Sequence, residues 1–290
     1  MNDGPELYGG VCVSVTDLRA EPDAASELLN QALLATPLTV LEKHADSQDR
    51  LWLLVRLPDY EGWMLADHMV RTGPPDPQAN YMYIQALSTP LRILGPNRSP
   101  GEETITAYMG TRLRVAPLAV QGAGPIVLEL PSGVLAAAEP SSLRPADPLC
   151  RGEADSAIYT ARQFQGTPYL WGGMTREGID CSGLVQISYR LHGRHLPRDA
   201  DQQFKALPLE VAQADLRPGD LIFYGQRREQ VTHVMLYFDS GRVIHASGAA
   251  GRVVVQSLDP ADPDYHERTD EYIGARRVVP SGSGENSDGL

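Results

Sequence analysis

The chain has 290 residues, enough for two or three domains and a sizeable core, and its 42% hydrophobic and 21% charged content is ordinary for a globular protein. Its 25 basic and 37 acidic side chains give a formal net charge of −12, which argues against nucleic acid, anionic membranes and anionic wall polymers as partners. No window approaches the roughly 18 consecutive apolar residues of a transmembrane helix. The first residues, Met1-Asn2-Asp3-Gly4-Pro5-Glu6, lack the basic and apolar segments of a secretory signal, so with Met1 as the start the expected location is cytoplasmic. Three cysteines in unlike surroundings, Cys12, Cys150 and Cys181, do not make a disulfide framework, and no Cys/His spacing suggests zinc.

Residues 7–73 read as short strands. Val11-Cys12-Val13-Ser14-Val15 alternates and would bury Cys12, Leu18 to Pro22 follows as an extended turn, and Leu38 to Glu42 and Leu51 to Leu57 are β-rich runs. The segment closes on Tyr60-Glu61-Gly62-Trp63-Met64. So many short strands in so little chain imply a small barrel. Gly73-Pro74-Pro75-Asp76-Pro77 is a stiff linker, and residues 79–145 read as a second, diverged barrel. A further linker, Pro145-Ala146-Asp147-Pro148, holds Cys150 close by with no evident role.

From residue 151 the period changes. Ala154, Ile158, Ala161 and Phe164 mark an amphipathic helix that ends before Gly166-Thr167-Pro168. A turn-rich stretch, Tyr169-Leu170-Trp171-Gly172-Gly173 to Gly178-Ile179-Asp180, then runs into Cys181, where helical spacing begins with Leu184, Val185, Ser188, Leu191 and His192. Ala200 to Leu207 reads as a short helix. Strand signals follow at Leu221 to Tyr224, His233 to Phe238, Arg242 to Ala246, Arg252 to Leu258 and Ile273 to Val279. Helices first and strands after is the α+β pattern for residues 151–280, and the polar segment 281–290 reads as a disordered tail.

A cysteine in the first turn of a helix sits among unpaired N–H groups and partial positive charge, which favour thiolate and can hold an oxyanion. Such a nucleophile needs a base within reach and a group to orient that base. His233 and His245 stand 12 residues apart across an expected hairpin and can share one face. Spacing alone is equally compatible with two buried core histidines. Asp180 can cap the helix.

The ordered strings Pro168-Tyr169-x-Trp171-Gly172-Gly173, Asp180-Cys181-Ser182-Gly183-Leu184-Val185, Pro197-Arg198-Asp199, Pro218-Gly219-Asp220-Leu221-Ile222-Phe223, His233-Val234 and Ile244-His245-Ala246 resemble the NlpC family of papain-like cysteine peptidases. Val13 to Pro22, Trp52 to Arg56 and Glu61 to Trp63 resemble a bacterial SH3-like barrel. The resemblance implies an α+β papain-like catalytic domain preceded by two small all-β SH3-like barrels. It implies Cys181 as nucleophile, His233 as base and His245 as its orienting residue, with Tyr169 beside the oxyanion and Asp180 and Ser182 engaging substrate. A position that is often serine in similar enzymes is here Ala200.

The two-barrel layout resembles γ-D-glutamyl-L-diamino-acid endopeptidases that require a free N-terminal L-alanine. This implies a murein tripeptide or tetrapeptide as substrate, a role in cell-wall peptide recycling, and an amine pocket supplied by the first barrel. Tyr60 and Glu27 are the candidates for that pocket, since an amine calls for a hydroxyl or a carboxylate. A secreted hydrolase of intact wall and a non-catalytic murein-peptide-binding protein are the competing readings. The chemistry needs no metal or organic cofactor.

Overall fold

The computed structural model describes residues 7–117, 124–146, 154–227, 230–265 and 271–278. Cys150 and the expected tail 281–290 lie outside the described residues. The chain divides into two compact units, one of residues 1–147 with 168–180 and the other of 148–167 with 181–290.

The first unit opens with seven strands: β1 (Leu7–Val11), β2 (Val15–Arg19), β3 (Leu28–Leu33), β4 (Pro37–Ala45), β5 (Leu51–Arg56), β6 (Glu61–Leu65) and β7 (Met69–Arg71). They form an antiparallel sheet in the order β3-β2-β6-β5-β4-β1-β7, around a core that includes Val11, Leu18, Leu38, Val55 and Met64. One expectation fails here. Val11 to Val15 is not a single strand, because the chain leaves β1 at Val11 and re-enters the sheet as β2 at Val15. Tertiary hydrogen bonds impose the break: Cys12 N–H donates to the His68 carbonyl, and the Val11 and Ser14 carbonyls accept from Ala35 and Leu34 N–H. Cys12 is consequently half-buried in a connection rather than buried in a strand.

Seven more strands follow: β8 (Tyr81–Ile84), β9 (Ser88–Leu94), β10 (Pro100–Tyr108), β11 (Arg112–Val115), β12 (Ile126–Glu129), β13 (Leu135–Ala138) and β14 (Leu143–Pro145). Their order is β10-β9-β13-β12-β11-β8-β14, which repeats the first sheet strand for strand. A single 3-10 turn precedes the last strand in each, at Ala66–His68 and Pro140–Ser142. The sequences have diverged but the connectivity has not. Leu34, from the end of β3, is buried in the second core beside Ile84, Leu91 and Leu128.

The turn-rich segment 168–180 also belongs to this unit and carries a small hairpin, β15 (Met174–Thr175) and β16 (Gly178–Ile179). It is fastened to the first barrel. Met174 N–H donates to the Gln31 Oε1 of β3 at 3.1 Å. Gly172 has a positive φ of 73°, and a Cβ there would lie 2.9 Å from the Leu28 side chain, so glycine meets both the turn and the close approach.

The second unit holds helices α1 (Ala154–Gln163), α2 (Cys181–Arg190) and α3 (Ala200–Ala206). They precede an antiparallel sheet formed by β17 (Glu210–Val211), β18 (Leu221–Arg227), β19 (Gln230–Asp239), β20 (Arg242–Ser247), β21 (Arg252–Ser257) and β22 (Glu271–Arg276). The sheet order is β17-β22-β18-β19-β20-β21. The α+β, papain-like catalytic layout and the two all-β barrels are as expected. On α1 the apolar side chains Ala157, Ile158, Ala161 and Phe164 are buried, as their spacing requires. On α2 every residue from Cys181 to Tyr189 is buried, a departure from the amphipathic pattern. The helix packs against α1, α3, β19 and β20, so its polar side chains need internal partners. Gln186 Nε2 donates to the Leu196 carbonyl at 3.0 Å and Gln186 Oε1 accepts from Arg190 at 2.7 Å. Among the described residues no helix is long and apolar enough to cross a membrane.

Candidate active site

Cys181 is the first residue of α2 and only 4% exposed. It therefore sits where the helix presents unpaired N–H groups and the positive end of its dipole. The neighbouring Ser182 is buried, and its hydroxyl accepts a hydrogen bond from the Arg198 guanidinium at 2.8 Å. Arg198 is itself fully buried. Gln203 of α3 donates through Nε2 to the carbonyls of Ser182 (3.0 Å) and Pro197 (2.9 Å), tying the start of α2 to α3. Arg198 stands in the string Pro197-Arg198-Asp199, whereas Gln203 carries no sequence signal beyond its residue type.

His233 lies on β19 and His245 on the adjacent β20, both buried. The expected hairpin at Asp239-Ser240-Gly241 joins these strands, with positive φ at Ser240 and Gly241. His233 Nε2 and His245 Nδ1 are 2.8 Å apart, and the two rings meet edge to face, 4.9 Å between centroids at 87°. Sequence left open whether these histidines were separate core residues; they are hydrogen-bonded to each other. On the far side, His245 Nε2 lies 2.8 Å from Oε1 of Gln256 on β21. Gln256 was read only as part of a strand. Another buried histidine, His192, pairs with the Thr160 hydroxyl at 3.0 Å, a structural arrangement. Cys12 is a different kind of cysteine: burial pushes its thiol above the ordinary value, and its Sγ faces the Asp67 carbonyl at 3.6 Å.

In the first unit, Asp180 is 5% exposed and its Oδ2 accepts the Gly172 N–H at 2.8 Å, so its carboxylate braces the preceding turn. Tyr169 is half-buried and bridges to Ile179. Tyr60 is half-buried against the first barrel's core, just before β6, while Glu27 is exposed just before β3. Among the described residues no group of three or more His, Cys, Asp or Glu side chains is arranged to hold a metal ion.

Comparison with known proteins places these features. Residues 166–270 match the model of the NlpC/P60 family, and residues 18–69 match that of the bacterial dipeptidyl-peptidase Sh3 domain. A γ-D-glutamyl-L-lysine dipeptidyl-peptidase from Bacillus cereus is 30% identical over 270 residues, covering 88% of this chain and 77% of that protein. Dipeptidyl-peptidase 6 from Lysinibacillus sphaericus is 28% identical over 269 residues, covering 89% of this chain and 94% of the relative. A solved NlpC/P60 family protein from Bacillus cereus superposes with a TM-score of 0.78 at 25% identity, covering 94% of this chain and all of that one.

Proposed function

Because this chain belongs to the NlpC/P60 family of cysteine peptidases, we propose that it hydrolyses the γ-D-glutamyl-L-diamino acid bond of short murein peptides that carry a free N-terminal L-alanine. The observation that carries the reading is the hydrogen-bonded pair His233–His245 on neighbouring strands, in the same unit as a cysteine that opens a buried helix. A helix-terminal thiol supplies the nucleophile, and a histidine held by a second histidine supplies a base of fixed orientation. The name of the B. cereus relative, a γ-D-glutamyl-L-lysine dipeptidyl-peptidase, supports the bond, and that of the L. sphaericus relative supports release of a dipeptide.

The steps follow from residue chemistry. His233 takes the Cys181 proton, and the thiolate attacks the γ-glutamyl carbonyl carbon. The oxyanion that forms is held by backbone N–H at the start of α2 and by the Tyr169 hydroxyl. His233 returns the proton to the leaving amine, giving a thioester and a freed diamino acid. A water deprotonated by His233 then cleaves the thioester and releases the dipeptide. His245 orients His233, and Asp180 and Ser182 engage the peptide. Tyr60 and Glu27 receive the N-terminal amine. The net charge of −12 favours soluble fragments over anionic wall polymer, which supports a role in peptide recycling.

The test is mass spectrometry of products from L-Ala-γ-D-Glu-meso-diaminopimelate, its lysine analogue, the N-acetylated peptide and intact sacculi, with wild type and Cys181→Ala. Release of L-Ala-D-Glu from the free-amine peptides alone, lost in Cys181→Ala, is expected. Equal cleavage of acetylated peptide or sacculi identifies a wall hydrolase instead, and no cleavage of any of them defeats the peptidase reading.

A further inference from the structure

We propose that Gln256 is a positioning residue that sets the direction of the whole hydrogen-bond chain behind the nucleophile. The proposal rests on the reading of Cys181 and His233 as nucleophile and base, and is independent of which peptide is cut.

Three consecutive strands of the sheet, β19, β20 and β21, each contribute one member of the chain: His233, His245 and Gln256. On β21 the residue opposite His245 is Val254, and Gln256 is two positions further along. That makes it the diagonal neighbour on the same face, within reach of a long side chain.

Each imidazole nitrogen is either a donor or an acceptor. Once His233 has taken the thiol proton, both of its nitrogens donate. Its Nε2–H then needs an acceptor, and the atom 2.8 Å away is His245 Nδ1. A neutral His245 accepts at Nδ1 only if its own proton is on Nε2. That Nε2–H is 2.8 Å from Gln256 Oε1, a carbonyl oxygen that can only accept. The chain of donors therefore runs in one direction, from His233 to His245 to Gln256. If the Gln256 amide were reversed, its NH₂ would donate into Nε2 and drive the His245 proton to Nδ1. Two N–H groups would then face each other as soon as His233 became charged. His245 is 1% exposed and His233 6%, so water does not offset such a mismatch. A glutamine holds this polarity at every pH at which the enzyme is folded, because its amide does not titrate.

Three variants and one spectrum separate this role from simple packing of β21. Gln256→Met keeps the side-chain length and removes the acceptor; Gln256→Glu keeps the acceptor; Gln256→Ala removes both. Two readouts are used: peptide hydrolysis, and alkylation of Cys181 by iodoacetamide followed by peptide mass spectrometry, which needs no peptide substrate. In Gln256→Met, kcat and the Cys181 alkylation rate at neutral pH are expected to fall roughly tenfold, part of the 10²–10⁴ that an oriented base contributes, with KM within about twofold. Gln256→Glu is expected to recover most of both rates, and Gln256→Ala to behave like Gln256→Met. Nitrogen-15 NMR of the wild-type histidines is expected to show His245 protonated at Nε2.

Wild-type alkylation and kcat in Gln256→Met, or a His245 proton on Nδ1, would overturn the proposal. If Gln256→Met does not fold, the wild-type spectrum decides. Alkylation that is fast in wild type and Gln256→Glu and slow in Gln256→Met, with no peptide cleaved by wild type, would sink the substrate reading and leave the relay intact.

Discussion

Asp46, in the turn before β5, shows how a single carboxylate ties local structure to pH. Its Oδ2 accepts the Trp52 indole N–H at 3.0 Å and the Arg50 Nε–H at 2.7 Å, and its Oδ1 accepts the backbone N–H groups of Gln48 and Arg50. These bonds, that of Trp52 first, hold the carboxyl well below the usual aspartate range. A depressed folded-state pKa gives stability that is complete above the ordinary value of 3.8. It is lost as pH falls from there through the folded value, because the unfolded chain takes up the proton more readily. Asp46→Asn cannot titrate. Its Tm is expected to be a few degrees lower at pH 7, the cost of weaker acceptors for Trp52 and Arg50, and to fall less than that of wild type between pH 5 and pH 3. Thermal melts at pH 7, 5, 4 and 3 decide it: an unchanged acid slope means that the Asp46 cluster plays no part in acid unfolding.

At the scale of elements, the meeting of β18 and β19 sets where His233 stands. Their register runs Tyr224↔His233 and then shifts, so that Gly225 faces Val231. This irregularity beside the histidine depends on a missing side chain, since a Cβ on Gly225 would lie 2.1 Å from the Gln230 carbonyl oxygen, a backbone atom. Gly225→Ala must part the strands or move β19. The expected cost is about 1–3 kcal/mol of stability, as for other overpacked sites. A displaced His233 is expected to slow Cys181 alkylation and lower kcat several-fold, a small part of what a positioned base supplies. A Tm and an alkylation rate that both match wild type would show the bulge to be without influence on the site. Such bulges were not legible in the sequence, whereas α2 was. A glycine-rich turn followed by apolar residues at helical spacing is a local pattern, and the helix begins at Cys181 as read. The hairpin between His233 and His245 was legible for the same reason, because Ser240-Gly241 is local turn chemistry. β3, Leu28-Leu29-Asn30-Gln31-Ala32-Leu33, was missed because it does not alternate; Asn30 is buried and Gln31 half-buried. Gln256 was read only as part of the strand Arg252 to Leu258, since its partner is 11 residues away on another strand. The false strand across Cys12 has the same root, for the bonds that break it come from Ala35 and His68.

At the scale of the molecule, the segment 168–180 lies next to the nucleophile in sequence yet belongs to the same compact unit as the two barrels. Nothing in its composition announced that, because the link runs through a side chain of β3, 143 residues from its partner in sequence. Gln31 Oε1 accepts the Met174 N–H, and Gln31 Nε2 donates to Asp17 Oδ1 at 3.1 Å, so Gln31 holds the hairpin β15–β16 and β2 at once. Met174 is 2% exposed, so without Gln31 its N–H loses its acceptor in a poorly hydrated place, at a cost of roughly 1–3 kcal/mol to the local closed form. Gln31→Ala is therefore expected to speed hydrogen exchange at the Met174 amide by about tenfold or more, since each 1.4 kcal/mol of local opening is a factor of ten. Exchange at the core strand residue Val55, which is fully buried, stays slow. The same segment carries Tyr169 and Asp180, proposed here to meet the substrate. With Asp180 on the peptide and Tyr169 on the oxyanion, KM for L-Ala-γ-D-Glu-diaminopimelate is thus expected to rise and kcat to fall, each several-fold, while iodoacetamide alkylation of Cys181, which needs neither residue to bind a peptide, keeps its wild-type rate. Faster exchange with KM and kcat both unchanged would detach Asp180 from the peptide and Tyr169 from the oxyanion. Unchanged exchange would show that the first barrel does not fasten this segment through Gln31.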